Sequence, residues 1–204
     1  MPKYLNIEPW HVFHPFLVSN YRRAFEEIYN SDQKIIPIII NSYGGYVDGL
    51  TPLLDMIDES DKPVLTIISG VAMSCGAILS ASGTKSLRFM GKNSRFMIHQ
   101  VSGFTWGKSS EMLSDAQESE RLTNELCYKR LDKAANKPDG FTKNLVKEKF
   151  NADWFLSADE AISHGYIDKI GSPVQILNNL DEINKEYQLL ALAQYPPIQT
   201  EEVA

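Results

Sequence analysis

Apolar runs alternate with amphipathic stripes along the first half of the chain. "KYLNI" and "IIPIII" (Ile35 to Ile40) have the apolar bias of strands, and "SNYRRAFEEIYN" between them reads as a helix. Pro37 has no N–H to give to a ladder, so its strand should lack one bond or lie near a sheet edge. Leu50, Leu53, Leu54 and Ile57 recur at i, i+3, i+4 and i+7, the stripe of an amphipathic helix. "PVLTIIS" (Pro63 to Ser69) is a near-continuous apolar run, as in parallel strands buried on both faces. The stretch after it, "SGVAMSCGAILSASG", holds almost nothing but small residues and predicts a helix flush against a sheet, ending near Gly83. "KSLRFM" and "SRFMIHQ" follow as short strands. This succession predicts an α/β domain with a largely parallel sheet.

From Gly107 the pattern changes. "GKSSEMLSDAQESERLTNELCYKRLDKAANKPDG" predicts a long polar helix over about 107–136, with only Met112, Ala116, Leu122, Leu126 and Ala134 on its apolar face. A helix that polar projects into solvent or packs against another subunit. "TKNLVKEKF" is a shorter helix. "SADEAISHG" opens with Ser157 and Glu160 in capping-box spacing and stops at Gly165. "YIDKIG" closes a compact unit spanning 1–171. Ser172, Pro173 and Gln175 are start signals for a helix through "SPVQILNNLDEINKEYQLLALAQ", and "YPPIQTEEVA" reads as a frayed end, so 172–204 is a helix and tail.

Composition narrows the classes. The 204 residues fit one domain, and a net charge of −6 has no basic footprint for nucleic acid. Cys75 and Cys127 form neither a disulfide framework nor a metal spacing, which fits a reducing compartment. The start "MPKYLNIEPWHVFHPF" has no charged region followed by an apolar one, and no apolar run nears the ~20 residues of a membrane helix. The expectation is a soluble, cytoplasmic protein.

Candidate chemistry starts at Ser74. It lies at a strand-to-helix junction with Ala72 two before and Gly76 two after, close to a small-x-Ser-x-Gly nucleophile elbow. There the hydroxyl can stand at a strand tip while the Cys75 amide points at the same space. The plainer alternative is a helix N-cap. His99, at the end of "SRFMIHQ", has the near-neutral pKa of a general base, or is an ordinary strand histidine. His11 and His14 lie three apart without a ligand cluster, and His164 before Gly165 suits a helix-end cation. For a carboxylate to orient the imidazole, Asp153 stands beside bulky Trp154 and Phe155, which should partly desolvate it. Asp159 favours its own helix start, and Asp168 lies in the closing strand. "NSYGG" after the second strand lets backbone approach a ligand, or is a plain tight turn. No lysine follows in phosphate-loop spacing.

"INSYGGYVDG", "GVAMSCGA", "NSRFMIHQ" and "DWFLSADEAISHGYID" together resemble the signature blocks of the ClpP family of ATP-dependent serine peptidases, through most of residues 35–170. The resemblance implies a stack of ββα units with a projecting "handle" helix. It implies Ser74 as nucleophile, His99 as base, Asp153 as third triad member, and Gly45 and Cys75 as oxyanion-hole amides. Gly44, Gln100, Val101, Ser102 and Gly103 would hold substrate, with a strand from about Gln100 to Gly107 pairing to its backbone. It further implies heptameric rings stacked in pairs, a peptide or unfolded-protein substrate, an AAA+ unfoldase as candidate partner, and neither metal nor organic cofactor. Tyr43 stands where the family usually has proline and Cys75 where it usually has methionine, and neither removes an amide. The span between His99 and Asp153 is a few residues longer than usual. The start is short, leaving no evident axial loop for the unfoldase, and the final helix is longer than usual. Two rival readings are a crotonase-like acyl-thioester enzyme and a catalytically inactive ring subunit.

Overall fold

The computed structural model describes residues 1–8, 13–103, 105–149 and 153–194, without the side chains of residues 149, 192 and 194. Its strands are β1 (Leu5–Ile7), β2 (Ile36–Ser42), β3 (Val64–Met73), β4 (Arg88–Met90), β5 (Arg95–Ile98), β6 (Trp154–Leu156) and β7 (Lys169–Ile170). Its helices are α1 (Val18–Tyr29), α2 (Val47–Asp58), α3 (Cys75–Ala81), α4 (Ser109–Arg121), α5 (Lys129–Ala134), α6 (Phe141–Lys149), α7 (Ala158–His164), α8 (Pro173–Asn178) and α9 (Leu180–Gln194). β1, β2, β3, β4 and β7 lie side by side in that order, all parallel. This is the mixed α/β fold expected from the alternating pattern.

Side-chain alternation explains the apolar runs. Ile36, Ile38 and Ile40 of β2, with Val64 and Ile68 of β3, join the main core under α1, α2 and α3. Ile35, Ile39, Leu65 and Ile67 belong to a second cluster, closed by Ile176 and Leu180 from the C-terminal helices. The sheet is therefore covered on both faces. Pro37 does not mark an edge, because β2 lies between β1 and β3. Ile36 N–H donates to Pro63 O at 2.9 Å, on the β3 side. Alternation then turns the Pro37 nitrogen toward β1, whose pairing begins only at Leu5 opposite Ile38. The missing donor costs no ladder bond.

The small-residue stretch departs from the expected helix. β3 continues to Met73, and α3 occupies only Cys75–Ala81. Between Ile40↔Ile68 and Ser42↔Ala72 the register shifts by a bulge, where Gly70 takes φ 109° against the Asn41 side chain. The bulge lets β3 change partners: Thr66–Ile68 pair with β4, and Val71–Met73 pair with β5.

The polar helix is two helices joined by a π-helical segment, Leu122–Tyr128. No residue of α4 is buried, whereas Cys127, Tyr128 and Leu131 are. The i→i+5 bonds of a π segment rotate the inward face, so the expected stripe through Leu126 and Ala134 is only partly buried. The expected C-terminal helix is broken at Asn179 into α8 and α9. The frayed end at 195–204 lies outside the described residues. No described helix is long and apolar enough to cross a membrane.

Arg88, buried on β4, holds α3, α5 and the segment before β7 together. Its guanidinium pairs with Asp168 at 2.5 Å and donates to Ala134 O at 2.9 Å. Asp168→Ala should strand that buried cation, lowering unfolding free energy by about 3 kcal/mol. A urea melt followed by circular dichroism measures the loss.

Candidate active site

Ser74 follows β3 at φ 53°, ψ −122°, a region costing a non-glycine residue about 1–3 kcal/mol. Its surroundings hold it there. Ser74 N–H donates to Met97 O at 3.0 Å, and its carbonyl accepts from Ala77 and Ile78 at 3.0 and 3.2 Å. The side chain makes no cap bond to α3. Instead Oγ lies 2.8 Å from Nε2 of His99.

Two ladders make that meeting. Parallel pairing aligns Met73 with Met97, so Ser74 and His99 leave β3 and β5 at the same end. Antiparallel pairing aligns Ile98 with Trp154, and one further step sets Asp153 opposite His99. Asp153 Oδ1 lies 3.5 Å from His99 Nδ1, within ion-pair range but longer than a good hydrogen bond. The expected desolvation of Asp153 is not found. Its side chain is 51% exposed, because Trp154 turns into the core while Phe155 faces out.

The glycine turn is pressed against the serine. Gly44 takes φ 106°, and a Cβ there would sit 2.7 Å from Ser74 Cβ. Gly44 N–H donates to Ser42 Oγ at 3.1 Å, and the Cys75 thiol donates to Gly45 O at 3.3 Å. Tyr43 keeps its ring exposed. Neither the Gly45 nor the Cys75 amide donates to a backbone carbonyl among the described residues.

The competing residues lie elsewhere. Asp168 is held by Arg88, and Asp159 sits in the first turn of α7. His14 accepts from Phe16 N–H at 3.3 Å, and His164 lies edge-on to Trp154. His11 is outside the described residues. Gln100, Val101, Ser102 and Gly103 continue from His99 but form no strand, correcting the expected one. A strand needs a neighbour, and the Val101 N–H is taken by Thr123 Oγ1 at 3.0 Å.

A cavity of about 500 Å³ opens beside Ser74 and His99, with Ile78, Ile98, Leu122, Cys127 and Leu131 in its walls. Sequence reasoning missed the last three as site residues, since the π segment hides their common face. Burial pushes the Cys75 thiol up to about 11 from 9.0. A thiolate is therefore scarce at neutral pH, and Cys75 does not compete with Ser74 as a nucleophile. Iodoacetamide labelling of Cys75 in the folded protein should run about 100-fold below that of a free thiol near neutrality. It should rise with pH toward 11, as mass spectrometry of timed samples would register.

Residues 26–174 match the family model described as Clp protease. The chain is 36% identical over 152 residues to "ATP-dependent Clp protease proteolytic subunit 1" of Chlamydia felis (strain Fe/C-56), covering 74% of this chain and 72% of that protein. The matched family is one of proteases, which favours hydrolysis over thioester chemistry. Its span runs from α1 into α8 and takes in the elbow, the glycine turn and the cavity beside them. The chain belongs to the Clp protease family and is a ClpP-type serine peptidase.

Proposed function

We propose that the protein is an endopeptidase that cleaves unfolded proteins or peptides inside a ring-shaped chamber through Ser74, His99 and Asp153. The observation that carries this reading is the 2.8 Å approach of His99 Nε2 to the part-buried hydroxyl of the elbow serine. Nε2 takes the Ser74 proton as Oγ attacks the peptide carbonyl, and Asp153 favours the tautomer with its proton on Nδ1. The Gly45 and Cys75 amides receive the oxyanion, each worth roughly 3 kcal/mol in such sites. Collapse of the tetrahedral intermediate breaks the C–N bond, with His99 returning its proton to the leaving amine. Water, deprotonated by His99, then hydrolyses the acyl-enzyme.

Substrate would lie along Gly44 and the segment Gln100, Val101, Ser102 and Gly103. Because Val101 N–H is committed to Thr123, pairing would fall to the groups of Gln100 and Ser102, which would face the other edge once the segment is extended along a substrate. α4 buries none of its residues and exposes Met112 and Leu113, which suits a handle packed against another subunit. We take heptameric rings stacked in pairs as the assembly, the cytoplasm as the location, and an AAA+ unfoldase as the ATP-using partner. The name of the Chlamydia relative supports that last point. Residues 1–171 make up the peptidase unit, and 172–204 a C-terminal addition.

Ser74→Ala should lower kcat on a fluorogenic peptide by about 10⁴-fold or more while leaving particle mass unchanged. A fluorophosphonate should label Ser74 alone. Retained hydrolysis in the alanine variant sinks the triad, and particles no larger than the 23.0 kDa chain by mass photometry sink the ring. Ser102→Pro removes a donor from the pairing edge and should raise KM more than it lowers kcat. Steady-state kinetics on the same peptide decide it.

A further inference from the structure

The residue whose carbonyl Ser74 attacks carries its side chain one bond from the reacting carbon. In the peptidase reading that side chain would reach the cavity that Ser74, Cys75 and the Gly45 turn line. The cavity is mostly apolar, but Asp48, exposed in the first turn of α2, also lines it. Asp48 is the one carboxylate among the described lining residues, and no lysine or arginine lines the same space. It makes no ion pair among the described residues and does not cap its helix, whose N-cap is Tyr46.

An apolar shaft with one anionic group at its exposed rim suits a side chain with a methylene stem and a cationic head. Lysine and arginine bury their stems and keep the charge near water. Leucine would fill the shaft but leave Asp48 without a partner, and glutamate would set two carboxylates together. We infer that Asp48 is a specificity-determining residue, selecting peptides with lysine or arginine at the residue whose carbonyl is attacked. This rests on the peptidase reading above.

The test uses fluorogenic peptides that differ only at that residue (leucine, lysine or glutamate) on the wild type, Asp48→Asn and Asp48→Lys. Asp48→Asn should lower the lysine-to-leucine ratio of kcat/KM about fivefold, mainly through KM, as expected for a rim ion pair. Asp48→Lys should reverse the lysine-over-glutamate order. Fluorescence anisotropy with the same peptides on Ser74→Ala, with and without Asp48→Asn, reads recognition apart from chemistry. Ratios and dissociation constants insensitive to residue 48 overturn the inference, even where hydrolysis is brisk. Absent hydrolysis with lysine binding that still depends on residue 48 upholds recognition while the peptidase mechanism falls.

Discussion

Strand β5 is hydrogen-bonded on both sides, parallel to β3 and antiparallel to β6, and the site depends on those two registers. Met73 opposite Met97 delivers Ser74 to the imidazole, and Ile98 opposite Trp154 delivers Asp153 to its other nitrogen. A one-residue slip in either ladder would turn a whole set of side chains to the wrong face. Phe96 and Ile98 guard against that slip by burying their side chains in the main core, with Phe96 stacked on Tyr166.

The crowding of small residues around Ser74 answers to two demands at once. All of α3 is buried, and Gly76 lies so close to β2 that a Cβ would sit 3.2 Å from Ser42 O. The same closeness presses the Gly44 turn onto the elbow. Ser74 then keeps its strained backbone because Met97, Ala77 and Ile78 hold its peptide groups on either side. The bulge at Gly70 is the upstream half of this arrangement. It frees the end of β3 from β4 so that β5 can pair there.

The long polar helix joins this geometry through one hydroxyl. Thr123, buried in the π segment, accepts the Val101 N–H and donates to Ser119 O at 2.8 Å. The segment beyond His99 is thereby tied to the helix whose outer half buries nothing. The same π segment supplies Leu122 and Cys127 to the cavity wall.

Much of the fold was legible because local patterns and tertiary burial agree. The β2 and β3 runs are apolar on both faces, the Leu50–Ile57 stripe is buried, and Ser157 with Glu160 forms the expected capping box. Ser74, His99 and Asp153 were legible as candidates from their places at element ends, and their order carried the family resemblance. Three features were not legible. A bulge and a π segment alter register and period without a distinctive residue, and the exposure of Asp153 depends on which way Trp154 turns. By itself the chain determined which side chains can do chemistry and which faces must be buried, since residue type and period are local properties. Which alcohol meets which imidazole, and which carboxylate overlooks the cavity, was decided only by how distant strands and helices pair, because a register is a relation between segments.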